Sequence, residues 1–312
     1  MSPEQKRVWL ELVRLHEISQ RAMDEAEQTT VARIARLVEQ VTRTMLEELA
    51  QHPDRVTDQV VRAVARIFDR GLVAGVAQLA ELAATAYDIG VGLASSTIPQ
   101  FGRVSRQKIE AIANALDASF RPQLLTEGRA RWYGRLRDEV MRPQSALMRA
   151  LIDARAMGHS LGDAARKLLE LDPTLSELPD TNRQIKASVR ALMVVRTESN
   201  RILNTAGVLF NEQAGIKNFR NFGIGDERQA DTCWLASLAK PMTIEAWAKY
   251  EAGPADRPVP WQKRVKVRHL ERQFVGPPGR HPNCRCQAVG VPADFVPSVE
   301  LMERAGLIPA AA

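Results

Sequence analysis

Hydrophobic positions at spacings of three and four govern the first half of the chain. Val31, Ile34, Val38, Val41, Met45 and Leu49 form one such stripe. This spacing lays side chains along one face of a helix and turns that face towards a partner helix. No glycine precedes Gly71, and Pro53 is the only proline between Pro3 and Pro99. Without breakers the pattern predicts one helix from Pro3 to about Gln51, with Ser2 as its cap and Pro3 in its first turn. His52-Pro53-Asp54 ends it. A second helix is expected from Val56 to about Thr97. Gly71, Gly75, Gly90 and Gly92 lie there among many alanines, and glycines four apart let two helix backbones approach closely. Pro99-Gln100-Phe101-Gly102 reads as a turn. A third helix over Ser105–Phe120 and a fourth over Leu124–Met157 follow, with Pro122 between them and Pro143 kinking the fourth.

Past Gly158 the pattern predicts a short helix to Leu171, then a polar, proline-bearing linker from Asp172 to Asp180. One more helix is expected over Asn182–Gly215. Beyond it the texture changes: glycine and proline become frequent, and strands are predicted at Lys217–Gly223, Lys263–His269 and Cys286–Val291, with a helix at Ile244–Glu251. The expected fold class is α+β, a mainly α-helical N-terminal half followed by a small C-terminal domain of one long helix and a short irregular sheet. The corresponding division is 1–178 as a helical arm or bundle that docks on a partner, 179–292 as the compact domain, and 293–312 as a tail.

Composition narrows the class. Over 312 residues, 26% charged and 45% hydrophobic positions exclude wholesale disorder, and 5% aromatics favour helices over a large β-sandwich. Three cysteines exclude a disulfide framework. The charge-free runs Gly71–Ala80 and Ile89–Gly102 are shorter than the roughly 18 residues of a membrane span. No leader-like segment opens the chain, so a soluble protein made in the cytoplasm is expected. The net charge of +6 is uneven: residues 1–180 carry 24 Lys/Arg against 25 Asp/Glu, and residues 181–312 carry 19 against 12. By net charge, the C-terminal part is the one expected to meet nucleic acid or an acidic surface.

The densest candidate chemistry is Gly276-Pro277-Pro278-Gly279-Arg280-His281-Pro282-Asn283-Cys284-Arg285-Cys286. With Cys233 it holds every cysteine, and Cys233, His281, Cys284 and Cys286 make a Cys3His set of the kind that binds structural zinc. The spacing departs from common zinc fingers, so a Cys233–Cys284 or Cys233–Cys286 disulfide and buried thiols stand as alternatives. Lys263, Arg264, Lys266 and Arg268 alternate with β-branched residues, and on a strand they would offer a phosphate track or a wet outer face. Glu198 and Arg201 are helix neighbours suited to an ion pair. Asp226, Glu227 and Asp231 cluster in a loop. Phosphate-loop, nucleophile-elbow, zincin and dinucleotide-binding patterns are all absent.

Arg196-Thr197-Glu198, Asp226, Asp231-Thr232-Cys233 and His281-Pro282-Asn283-Cys284-Arg285-Cys286 together resemble the Mu F-like family of phage head morphogenesis (minor head) proteins, over about residues 185–292. Two departures stand out. Ala236 occupies the position of a second loop cysteine, and Phe219 or Phe222 replaces a tryptophan. The resemblance implies a non-enzymatic structural component of a tailed phage, inside the head at the portal vertex. The implied partners are the portal protein and the capsid or scaffold protein, with contact to packaged double-stranded DNA as an extension and no membrane in the resting particle. Two other readings compete: a DNA-binding ejection protein, and a metal-dependent nuclease or transferase using Glu198, Asp226, Asp231 and His281.

Overall fold

Helix α1 spans Pro3–Ala50 without interruption and α2 spans Asp58–Thr97, as the lack of breakers predicts. The computed structural model describes residues 3–52, 56–102, 104–160, 180–222, 241–249, 286–293 and 295. The buried seam of α1 starts far earlier than its apolar stripe, running Trp9, Leu12, His16, Ser19, Met23, Glu27, Thr30, Ile34, Val38, Val41 and Met45. Four of these residues are polar, which is why hydrophobicity alone shows only the second half of the seam. On α2, Leu72, Leu79, Ala86 and Tyr87 are at most 1% exposed. An 18-residue window of this helix also reaches a mean hydropathy of 1.2, and these buried positions read as the core face of a packed helix.

A short 3₁₀ turn, Ile98–Phe101, follows α2 and closes on Gly102, whose φ of 63° is left-handed and so costs a glycine little. Helix α3 then runs over Arg106–Arg135 with Pro122 inside it, so the expected break at Pro122 does not occur. The buried positions Ile109, Ile112, Leu116, Leu124 and Trp132 keep one helical phase across the proline. Continuous packing on both sides outweighs the single hydrogen bond that the proline removes.

A π turn, Leu136–Val140, separates α3 from α4 (Arg142–Met157). Pro143 sits in the first turn of α4 rather than kinking a longer helix, because a missing N–H is harmless there. Helix α4 ends as expected at Gly158, which is left-handed at φ 70°. There Gly158 N–H donates to the Arg155 carbonyl and His159 N–H to that of Ala154, a Schellman closure.

Helix α5 covers Asp180–Gln213. Strand β1 (Phe219–Phe222) pairs antiparallel with β2 (Gln287–Gly290), Phe219 opposite Gly290 and Phe222 opposite Gln287. Phe219 also bridges Met242, and helix α6 spans Ile244–Lys249. The fold is therefore α-rich α+β with one small antiparallel sheet. The short helix to Leu171, the linker, the strand at 263–269 and most of the tail lie outside the described residues.

Packing groups the chain differently from its order in sequence. One compact unit gathers residues 1–26, 83–124 and 196–312, and the second gathers 27–82 and 125–195. Three segments distant in sequence thus share the first unit. Within it Trp9 of α1 lies 6.0 Å from Phe295, which meets Phe101 edge-on at 5.6 Å. The start of α1 is consequently part of a core and not a detached arm.

Candidate functional site: a buried asparagine clamp on a strand

Strand β2 is buried along its whole length. On one side β1 satisfies its backbone. The other side has no strand beside it among the described residues, and α5 takes that place with side chains. Asn204 Nδ2 donates to the Cys286 carbonyl at 3.1 Å, while Asn204 Oδ1 accepts from Ala288 N–H at 2.7 Å. Asn200 Nδ2 donates to the same Cys286 carbonyl at 3.1 Å. One turn of helix thus does for an edge strand what a third strand would do, meeting the demand that buried N–H and C=O groups be paired. A second bond of Asn204 Nδ2, to the Asn200 carbonyl at 2.9 Å, fixes its rotamer.

Further along α5 the same face carries Gly207 and Asn211. Asn211 Nδ2 donates to the Gly207 carbonyl at 2.7 Å, and its Oδ1 occupies the place where a side chain on Gly290 would project. Residues 200, 204, 207 and 211 recur at four, three and four, so they share one helical face. Opposite them, Gly90 of α2 rests against the main chain of Leu203, so closely that a Cβ there would strike the Leu203 carbonyl. The cavity at this junction, lined by Gly90, Gly207, Asn211 and Gly290, is about 10 Å3, which holds one water at most.

A second polar layer joins α1 to the sheet. His16 Nδ1–H donates to Gln287 Oε1 at 2.7 Å, an assignment of the proton that follows from the amide oxygen being an acceptor. Burial lowers the His16 pKa from 6.5 to about 4, against the opposing pull of the Gln287 bond, so the imidazole is neutral at pH 7. Arg220 of β1 is 1% exposed, with its guanidinium 5.5 Å from the centre of the Trp9 ring. Burial pulls its pKa down to about 10. Trp247 of α6 donates from its indole to the Phe219 carbonyl at 2.9 Å, closing the far edge of β1.

Several residues singled out from sequence lie here. Arg196 and Thr197 are half-buried on α5, Glu198 is 3% exposed, and Arg201 Nε sits 3.4 Å from the Glu198 carboxylate, the ion pair their spacing predicts. Cys286 is buried at the entry to β2. Cys233, His281 and Cys284 lie outside the described residues, as do Asp226, Asp231, Pro282, Asn283 and Arg285, and likewise Lys263, Arg264, Lys266 and Arg268. Among the described residues no three His, Cys, Asp or Glu side chains converge as a metal site. Sequence reasoning missed Asn200, Asn204 and Asn211 as a set. Their 4-3-4 recurrence with Gly207 was the signal available.

What this arrangement does chemically is hold backbone. Asn200, Asn204 and Asn211 donate to main-chain carbonyls and His16 to the Gln287 amide, and the cavity beside them, at about 10 Å3, holds one water at most. Comparison with family models, with curated proteins and with solved structures finds no match for this chain.

Proposed function

We propose that this chain is a structural minor head protein of a tailed bacteriophage, seated inside the head at the portal vertex and assisting head assembly without catalysing a reaction. The carrying observation is the meeting of two sequence elements about ninety residues apart. Asn200 and Asn204, within two turns of Arg196-Thr197-Glu198, both bond the carbonyl of Cys286, the last residue of the His281–Cys286 element. These bonds tie the helix that carries Arg196-Thr197-Glu198 to the end of that element, which supports reading the two as parts of one module. A buried Glu198 engaged by Arg201 supports a structural use of the motif helix over a catalytic one. Zinc on Cys233, His281, Cys284 and Cys286 remains part of the proposal, since Cys3His is an accepted set for structural zinc.

The partners that follow are the portal protein and the capsid or scaffold protein. Co-expression of the full chain with the portal protein of its phage tests this reading. A complex that survives size-exclusion chromatography is expected. Separate elution of the two proteins, together with plasmid nicking that is lost in Glu198→Gln, would replace the structural reading with the enzymatic one.

A further inference from the structure

We propose that an exposed arginine face built by α2, α3 and α4 in the second unit binds double-stranded DNA through its phosphates. On α2, Arg62, Arg66 and Arg70 follow one another every fourth residue and all are exposed. They are about 6 Å apart along the helix axis. Arg66 Nε donates to the Arg62 carbonyl at 3.2 Å, which lays that side chain along the helix.

Contacts fix what lies beside them. Arg155 of α4 donates two hydrogen bonds to Asp58, at 2.8 and 3.0 Å, one turn before Arg62. Tyr133 of α3 donates to Asp69 at 3.2 Å, next to Arg70. The arginine-bearing stretch of α2 is thus bracketed by α4 at one end and α3 at the other. One turn after Tyr133, Arg137 on the π turn holds Asp138 through bonds of 2.8 and 2.9 Å. The charge of Arg149 on α4 also acts on Asp138.

Six exposed arginines, Arg62, Arg66, Arg70, Arg137, Arg149 and Arg155, therefore lie along these elements, with Asp58, Asp69 and Asp138 among them. Asp58 and Asp138 are bridged by Arg155 and Arg137. Among the described residues no carboxylate lies within ion-pair distance of Arg62, Arg66, Arg70 or Arg149. The near-neutral balance of residues 1–180 does not report this local excess.

The geometry selects the partner. Guanidinium groups pair with phosphate oxygens in a two-pronged fashion. Duplex DNA presents one charge per about 1.7 Å of axis, so the roughly 12 Å from Arg62 to Arg70 faces about seven charges. Such contacts position a duplex without reading its sequence. This inference rests on the proposed head role only for the source of the DNA.

The test is duplex binding by the full chain, followed by fluorescence anisotropy across a salt series, with a synthetic acidic peptide as competitor. Binding is expected to fall with salt at a log–log slope of about −3, for roughly three phosphates neutralised. R62Q/R66Q/R149Q is expected to bind at least tenfold more weakly at low salt with a flatter slope, while R62K/R66K/R149K keeps the slope. Unchanged binding by R62Q/R66Q/R149Q overturns the proposal, as does no binding by the native chain, or displacement by the peptide at equal charge concentration. Loss confined to K263Q/R264Q/K266Q/R268Q would move the surface to that stretch and overturn this one. Because duplex binding is read on the protein alone, its failure leaves the head role standing, and failure to join the portal leaves duplex binding standing.

Discussion

Asn204 pairs with two backbone groups of β2 at once, so its loss should be felt out of proportion to its size. Asn204→Ala strands the Ala288 N–H in a dry interior, at a cost of about 1–3 kcal/mol, and urea unfolding should show the free energy falling by that amount, as a lower midpoint with an unchanged slope. Gly90 and Gly92 make a paired test two residues apart. Gly90→Ala drives a methyl into the Leu203 carbonyl and should destabilise by about 1–3 kcal/mol. Nothing lies within 4 Å of a Cβ on Gly92, so Gly92→Ala should stabilise by about 0.5–1 kcal/mol. His16 gives a pH signature. Its folded pKa of about 4 lies below the ordinary 6.5, so the unfolded chain binds more protons between those values. Stability from this group is complete above about pH 6.5 and is lost as pH falls towards 4, by about 3 kcal/mol in all. His16→Gln should flatten the curve between pH 4 and 6.5, measured against the native chain by urea titration. His16 and Asn204 were not legible as core, because polar side chains on a helix are ordinarily counted towards its wet face. Only their spacing, and not their chemistry, marks Asn200, Asn204, Gly207 and Asn211 as one line.

Elements were more legible than residues. The runs free of glycine and proline give α1 and α2 almost to their ends, and the bracketing turn signals give α5, β1 and β2. The prolines misled in two places for one physical reason: their effect depends on where the N–H would have gone. Pro122 sits mid-helix on an exposed position of α3 and leaves one carbonyl without its bond, yet the packing in phase on either side carries the helix through. Pro122→Ala should restore that bond and raise stability by about 1 kcal/mol or more, seen as a higher midpoint in thermal unfolding. Pro143 instead starts α4, where no bond is lost. The amphipathic stripe of α1 suggested a helix with a partner but not which one. In the structure its first turns hold Trp9 against Phe295 and His16 against Gln287. A chain lacking residues 1–26 should therefore lose packing in the first unit, seen as a weaker near-ultraviolet circular dichroism of its tryptophans with the contribution of Trp132 in the second unit retained.

At the scale of the molecule, the sequence shows a helical first half and a mixed second half, while packing draws each compact unit from segments of both. Linear composition reports where texture changes and cannot report that residues 1–26 and 83–124 pack with 196–295, because those contacts are made by side chains that look ordinary in order of sequence. Charge behaves the same way. A half that sums to −1 over residues 1–180 still has Arg62, Arg66 and Arg70 exposed along one stretch of α2, a local excess that a sum over the half does not report. The candidate site was legible as an α5 motif and a cysteine-bearing strand, and the amide clamp joining them was not. The central claim is that this module scaffolds a phage head. Its most direct measurement is the position of the full chain in purified particles, by asymmetric cryo-electron microscopy of heads carrying a tagged copy. Density for the tag at the portal vertex, and at no other, is the predicted result. Heads that are complete and infectious yet contain none of the protein would contradict the account.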